Sequence, residues 1–282
     1  MDGASFLNIE VLRRQLDTQF IAIGDRLLYQ PMVDSTNVLA MQLAHQRTDE
    51  GVVVLTDSQT AGKGRQGRRW VDMPGCNVLS STLLRPLFPP YLLVMIASLA
   101  VIDAITETCS ISATIKWPND ILVEDRKVAG ILIETSHDQT GRMIAILGIG
   151  INVNGRIQQL AERALASLVT TATTLETVCG QMLSRETLIA QLLHHMEKDY
   201  LALQEEWMPT SSLSKDRPIS RLMRERWRSR MTTLGRAIEV RQGNAVVRGI
   251  AEDVDDNGEL LLRRYSGELV SITWGDVGYP DG

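Results

Sequence analysis

Cysteine is scarce in this sequence: Cys76, Cys109 and Cys179 are the only three in 282 residues, with no CxxC spacing and no histidine cluster beside them. That excludes a disulfide framework, offers no zinc site and fits a reducing cytoplasm. Positive charge is not in excess either. A formal charge of −5 argues against a general nucleic-acid surface, while leaving room for a local basic loop that binds phosphates. Long apolar runs are missing as well. The most hydrophobic stretch, Tyr91 to Ile102, is followed by Asp103 and Glu107 and falls short of the ~20 residues of a membrane span, so it predicts a buried helix. The N-terminus opens with Asp2 and carries Arg13 and Arg14 in its helical stretch, unlike the positive-then-apolar pattern of an export signal.

What is present suits a globular enzyme. A hydrophobic content of 44% can bury a substantial core, and the length suits one large domain with a small companion. Phe6, Ile9, Leu12 and Leu16 recur at helical spacing, before an apolar strand at Leu27-Leu28-Tyr29. A helix is expected from Val38 to His45 and a buried strand at Val52-Val53-Val54. From Ser58 to about Gly75 there is no clear periodicity, and an aperiodic loop of ~18 residues in a compact domain points to function or mobility. Strands are expected at Val78–Leu84, Ala113–Trp117, Ile121–Val123, Val128–Glu134 and Ile144–Ile151, with a long helix from Pro90 to Thr108. Glu124-Asp125-Arg126 reads as a hairpin turn that sets Lys127 at the start of the returning strand. Beyond Asn154 the chain turns helical, with Ser184 as N-cap, Glu186 in the first turn and Leu188, Leu192, Leu193 and Met196 on one face. From Ala237 short alternating strands follow, turning at Asp256-Asn257-Gly258; the last ~50 residues form a barrel of marginal size unless it packs on the rest.

Four segments combine residues that bind anions or polar groups. Gly62-Lys63-Gly64-Arg65-Gln66-Gly67-Arg68-Arg69-Trp70 contains GxGxxG, yet no helix opens there and no acid follows ~20 residues later, which excludes a dinucleotide fingerprint. Its glycines still allow close backbone approach, and its cations match carboxylate and phosphate oxygens. Lys116-Trp117-Pro118-Asn119-Asp120 places a lysine, an aromatic ring, an amide and a carboxylate together, a set suited to a nucleotide, its phosphates and Mg²⁺. Pro-Asn-Asp is equally ordinary turn chemistry. Asp34-Ser35-Thr36-Asn37 can start a helix and also bind a neutral polar head such as a ureido group. Lys127 precedes the apolar, glycine-containing strand Val128-Ala129-Gly130-Ile131-Leu132, and read alone it is an exposed turn lysine.

Together and in this order, DSTN at 34–37, GKGRQGRRW at 62–70, KWPND at 116–120, RKVAGIL at 126–132 and GIGINVN at 148–154 resemble the signature blocks of the biotin-protein ligase family, also called biotin–[acetyl-CoA-carboxylase] ligase. The resemblance is strong from Leu28 to Asn154 and loose over the helices that follow. It is moderate over the last strands, through Leu234-Gly235-Arg236 and Gly249-Ile250. It implies an α/β (α+β type) fold: a mixed β-sheet with packed helices forming a class II synthetase-like catalytic domain over 1–231, and a small C-terminal SH3-like β-barrel over 232–282. It also implies the chemistry. Biotin's carboxylate attacks the α-phosphate of ATP with Mg²⁺ as cofactor, pyrophosphate leaves, and an acceptor lysine attacks the activated carbonyl.

By the same resemblance Lys127 and Arg65 are catalytic. Ser35, Thr36, Asn37, Gln59, Lys63, Gly64, Arg65, Lys127 and Gly130 bind biotin. Arg65, Arg68, Trp70, Lys116, Trp117, Asn119, Asp120 and Asn152 bind the nucleotide, and Asp120 is also a metal ligand. Lys63 departs from the commoner GRGR and lacks arginine's bidentate fork, which weakens retention of the adenylate. The acceptor implied is the biotin carboxyl carrier domain of acetyl-CoA carboxylase, and by analogy the chain forms a homodimer. Some members carry a DNA-binding helix-turn-helix; there is little room for one here, so no DNA and no membrane partner is expected. Two rivals share parts of this pattern: a lipoate-protein ligase, which uses the same acyl-adenylate chemistry, and a non-catalytic biotin-sensing protein.

Overall fold

The computed structural model describes residues 5–46, 49–158, 171–213 and 215–280. Along the chain come α1 (Ile9–Gln15), β1 (Leu27–Val33), α2 (Thr36–His45), β2 (Val53–Gln59), β3 (Asn77–Leu84), α3 (Tyr91–Cys109), β4 (Thr114–Lys116), β5 (Asp120–Val123), β6 (Arg126–His137), β7 (Met143–Asn152), α4 (Leu175–Cys179), α5 (Arg185–Trp207) and α6 (Pro218–Ser229). They are followed by β8 (Ala237–Gln242), β9 (Ala245–Val254), β10 (Leu260–Arg263), β11 (Leu269–Ile272) and β12 (Asp276–Gly278). The first seven strands form one mixed sheet in the order β1-β2-β3-β7-β6-β5-β4, in which only β1 and β2 run parallel. The remaining five form an antiparallel sheet, β11-β10-β9-β8-β12. This is the mixed α/β fold with a small C-terminal β-domain that the sequence predicts.

Strand alternation distributes the apolar residues between two faces of the large sheet. Val53, Leu55, Ala145, Leu147, Ile149 and Ile151 face the main core, which α3 and α5 cover. Val52, Val54, Leu83, Ile144 and Ile146 face the other way and bury Ala40 and Ala44 of α2. On that second face the pattern in β7 continues as Gly148, Gly150 and Asn152, so bulky side chains under α2 give way to glycine from its first turn onward. The groove described below is the space those missing side chains leave.

Helix α3 runs past Asp103 and Glu107 to Cys109, farther than the apolar run alone suggests, and at 19 residues it is long and apolar enough to cross a membrane. Here Leu92, Leu93, Ile96, Leu99, Ile102 and Ile105 are all buried against the sheet and neighbouring helices, which makes it a core helix. Helix α5 starts as expected: the Ser184 hydroxyl accepts from Thr187 N, and Leu188, Leu192, Leu193 and Met196 are buried. The N-terminal segment differs in detail. Phe6 is 74% exposed while Leu7 is buried, because the helix begins at Ile9 under an Asn8 cap and helical spacing does not extend back to residue 6.

The turn before Lys127 is also tighter than predicted. Glu124 and Asp125, at φ of 50° and 58°, make a two-residue hairpin in which Val123 pairs directly with Arg126. The C-terminal sheet does pack on the rest: Ile238, Val240, Ala251, Leu260 and Leu262 belong to the same buried cluster as Trp117 and Trp227. Ion pairs Arg224–Asp256 and Arg228–Asp253 tie α6 to it.

Candidate active site

A groove of about 230 Å³ opens where the N-terminus of α2, the 62–70 loop and strands β3, β5, β6 and β7 meet. Its floor is made by absence. A Cβ on Gly148 would lie 2.2 Å from Asn37 Oδ1, one on Gly150 would lie 2.6 Å from the Trp70 ring, and one on Gly130 would lie 3.1 Å from Lys127 Nζ. Glycine at these three positions is what lets Asn37, Trp70 and Lys127 occupy the groove.

One end of the groove is polar and tightly wired. Ser35 holds the N-cap position of α2 without capping it through its side chain. Gln59 Oε1 instead accepts from Thr36 N (2.8 Å) and Thr36 Oγ1 (3.1 Å). Ser81 Oγ lies 2.7 Å from Thr36 Oγ1 and donates to Asn37 Oδ1 at 2.5 Å, while Asn37 Nδ2 donates to Glu134 Oε2 at 2.8 Å. The orientation of the Asn37 amide is therefore set by an acceptor on one side and a donor on the other, leaving one N–H of Nδ2 for a ligand.

The loop along the groove is more ordered than its aperiodic sequence suggests. Lys63 and Arg69 pair across it, Gly64 N donates to Arg68 O, Trp70 N donates to Gly62 O, and Gln66 and Gly67 turn the tip with positive φ. Gly62 packs so closely on Trp70 O that a Cβ would meet it at 2.6 Å, so glycine-rich composition here encodes a compact hairpin. Arg65 Nη1 donates to Asn119 Oδ1 at 2.7 Å, and Arg68 pairs with Asp276 of the C-terminal sheet. Burial holds the Arg65 guanidinium below its ordinary range, with nearby Arg68 adding to that and Asp120 opposing it.

Lys127 Nζ sits 2.6 Å from Asp120 Oδ1 and 5.7 Å from the centre of the Trp70 ring. Its backbone carbonyl accepts from Thr173 N, which docks the 172–174 segment on β6. Asn152 lines the same wall, with Oδ1 accepting from Asn77 Nδ2 (2.9 Å) and Nδ2 donating to Thr173 O (3.2 Å). Asp120 and Asp276 both line the groove and both are ion-paired. Among the described residues no group of three or more His, Cys, Asp or Glu side chains gathers to hold a metal. The donor set therefore fits a magnesium ion borne mainly by phosphate oxygens with one carboxylate beside it, and does not fit an all-protein cage.

Sixteen residues were expected at the site, fifteen from the five sequence blocks together with Gln59, and two of them are not brought to the groove wall. Trp117 is 2% exposed; its N donates to Thr233 Oγ1 (2.9 Å) and its Nε1 to Gly258 O (3.0 Å). The structure places it in the junction with the C-terminal sheet and not on the groove wall: an indole of this size is most stably buried with its one N–H satisfied, and the junction supplies both. Lys116 lies beside the groove, with Nζ 5.2 Å from the Tyr279 ring centre. Burial lowers the affinity of its amine for a proton, Asp120 opposes this, and Lys127, Arg68 and Arg236 add to it. Ser35, Thr36, Asn37, Gln59, Lys63, Gly64, Arg65, Arg68, Trp70, Asn119, Asp120, Lys127, Gly130 and Asn152 all line the groove.

Sequence reasoning missed Glu134, Ser81 and Asp276. Glu134 was within reach, since alternation from Gly130 puts Leu132 and Glu134 on the same face. Asp276 comes from another sheet, and no local pattern marks it.

A family model described as "Biotin/lipoate A/B protein ligase family" matches residues 29–153, and one described as "Biotin protein ligase C terminal domain" matches residues 233–277. The bifunctional ligase/repressor BirA of Bacillus subtilis is 34% identical over 249 residues, covering 87% of this chain and 71% of that protein. The biotin--[acetyl-CoA-carboxylase] ligase of Paracoccus denitrificans is 34% identical over 242 residues, covering 84% of this chain and 94% of that protein. Among solved structures, the biotin protein ligase of Aquifex aeolicus in complex with biotin and ATP superimposes with a TM-score of 0.71 at 27% identity, covering 89% of this chain and 97% of that one.

Proposed function

The chain belongs to the biotin/lipoate A/B protein ligase family, and from that premise we infer that it is a biotin-protein ligase, which uses ATP to activate biotin as biotinyl-5′-AMP and transfers biotin to a lysine of a biotin carboxyl carrier protein. One observation supports this above others. A single groove joins the polar end of α2, the cations of the 62–70 loop and Lys127, as an acid with a polar head and a nucleotide would require.

In this reading the ureido head lies among Ser35, Thr36, Asn37 and Gln59, Gly130 leaves room for the acid's chain, and the carboxylate reaches Lys127 and Arg65. The carboxylate attacks the α-phosphorus and pyrophosphate leaves; the amine of the acceptor lysine then attacks the carbonyl and AMP leaves. Negative charge builds on phosphoryl oxygens in the first step and on the carbonyl oxygen in the second. Lys127 and Arg65 are the cations positioned to stabilise both, as fixed charges that need no reorganisation. Lys63, Gly64 and Arg65 cover the mixed anhydride against water. Arg68, Trp70, Asn119 and Asn152 hold the nucleotide and Lys116 steers its phosphates from beside the groove. Asp120 is the residue that would hold a Mg²⁺ ion accompanying the phosphates, and the ion would supply charge neutralisation there.

We assign catalysis to residues 1–231 and treat 232–282 as a domain that completes the groove through Asp276. The acceptor we propose is the carrier domain of acetyl-CoA carboxylase, in the reducing cytoplasm where the three free thiols persist, with no DNA or membrane partner. A homodimer would pair along β1, whose Gln30, Pro31 and Met32 are exposed, since residues 230–232 cover the β4 edge.

The test is ATP–pyrophosphate exchange by the purified protein with Mg²⁺, supplied in turn with biotin, lipoate, octanoate or no acid. Exchange with biotin alone is expected, because a dithiolane or alkyl tail leaves the polar groups around Asn37 unpaired. Exchange with lipoate would select the lipoate ligase, and biotin binding without exchange would select the sensing protein.

A further inference from the structure

Glu134 touches both halves of the groove and belongs to neither of the motifs it connects. Its Oε2 accepts from Asn37 Nδ2 at 2.8 Å and its Oε1 accepts from Lys63 Nζ at 2.9 Å. Asn37 is buried at the head-group end, and the same amide receives the Ser81 hydroxyl on its other side. Lys63 is the last paired rung of the loop hairpin: opposite Arg69, it carries the tip that contains Arg65 and Arg68. One carboxylate thus fixes which edge of the Asn37 amide meets a ligand and fastens the base of the loop.

We propose that Glu134 is a positioning residue that couples recognition of the biotin head group to closure of the 62–70 loop; this rests on the biotin-ligase reading above. The coupling follows from shared occupancy. A neutral amide hydrogen and a lysine ammonium lie on the two oxygens of one carboxylate, so displacement of either partner changes the charge felt by the other. A ligand that takes the remaining Asn37 N–H holds the amide, and hence Glu134, in the geometry that also receives Lys63. Lysine here, where arginine is commoner in the resembled motif, suits a single charged contact to one oxygen better than a bidentate fork would. The Lys63–Glu134 pair is half-exposed, so its worth lies in orientation more than in stability.

The experiment measures biotin-dependent ATP–pyrophosphate exchange and tryptic cleavage of the loop at Lys63, Arg65, Arg68 and Arg69, with and without biotin, in the wild type, Glu134→Ala and Glu134→Gln. Exchange by the wild type checks the biotin-ligase reading separately: if it fails with biotin, that reading falls before the variants are compared. Given wild-type exchange, Glu134→Ala should raise the KM for biotin about 10- to 100-fold, the range for losing a charge-assisted hydrogen bond. It should also abolish protection of the loop by biotin. Glu134→Gln keeps one acceptor and should lie between. It also serves if Glu134→Ala does not fold. Lys63→Gln should cost several-fold in biotin KM in the wild-type background and distinctly less than that in Glu134→Gln, where the shared contact is already weakened. Wild-type biotin KM with full biotin-dependent protection in either Glu134 variant, or additive effects of Lys63→Gln and Glu134→Gln, would overturn the coupling.

Discussion

Lys127→Ala tests the catalytic assignment most directly, because the structure separates two consequences of the substitution. Lys127 Nζ lies 2.6 Å from Asp120 Oδ1, with the Lys127 and Asp120 side chains 34% and 27% exposed. Removing the ammonium takes away a fixed cation from the developing phosphoryl and carbonyl charge. It also leaves the Asp120 carboxylate without its counter-ion on a wall that must accept phosphates. The first effect should lower kcat for adenylation by about 10²- to 10³-fold, or about 2.7–4 kcal/mol, the loss seen when one preorganised transition-state donor is deleted. The second should raise the KM for ATP through like-charge repulsion, softened by solvent at this exposure. Varying Mg²⁺ isolates them: a divalent cation held at Asp120 should offset the lost counter-ion and bring the KM for ATP back toward wild type, leaving kcat low. ATP–pyrophosphate exchange at saturating biotin measures both quantities without the acceptor protein. A kcat within about tenfold of wild type in Lys127→Ala, or its recovery at high Mg²⁺, would refute the assignment and move catalysis to Arg65 or Lys116.

Gly148→Ala sets a methyl group 2.2 Å from Asn37 Oδ1. It should raise the biotin KM sharply at a cost of about 1–3 kcal/mol in stability, checked by exchange kinetics and chemical denaturation. Arg185→Met breaks the buried pair with Asp57, 2.7 Å apart and 3% exposed on both sides. The carboxylate, left with Leu7 N and the Tyr29 hydroxyl but no counter-ion, should cost about 3–5 kcal/mol, a fall of roughly 6–20 °C in Tm by calorimetry; an unchanged Tm would show that the pair is dispensable. Burial, and then the neighbouring Cys179 thiol, pushes the Cys109 thiol up to about 12 from 9.0. The folded protein should therefore react with iodoacetamide at pH 8 far more slowly at Cys109 than the unfolded chain does, read by mass spectrometry. The sign for stability follows: with the folded thiol harder to ionise, its contribution is intact below pH ~9 and declines as pH rises toward 12.

Much of the catalytic fold was legible because its signals are local. Apolar and β-branched runs mark β2, β3, β6 and β7, the Ser184 cap marks α5, and each of the five motif blocks is a short contiguous stretch within an element or at its end. Even so, adjacency in sequence misled at Lys116-Trp117, where consecutive residues leave a strand end in different directions. Trp117 serves the interface with the C-terminal sheet, and only its flanking Asn119 and Asp120 reach the groove. The loop from 62 to 70 shows no periodicity because its order comes from glycine-permitted backbone contacts, which leave no hydrophobic pattern.

The sequence by itself determined the chemistry on offer: a polar helix start, a cationic glycine loop, a lysine after a hairpin turn and glycines at alternate positions of a strand. Those are properties of residue type and short spacing, which bond geometry translates into structure without reference to the rest of the chain. Only the tertiary structure decided that the glycines of β6 and β7 lie beneath Asn37 and Trp70, that Glu134 stands between Asn37 and Lys63, and that Asp276, 208 residues after Arg68, closes one side of the groove. Such contacts depend on which strands neighbour one another and on what the core excludes. They are set by the burial of the whole sheet between two layers, and no window of sequence contains that information.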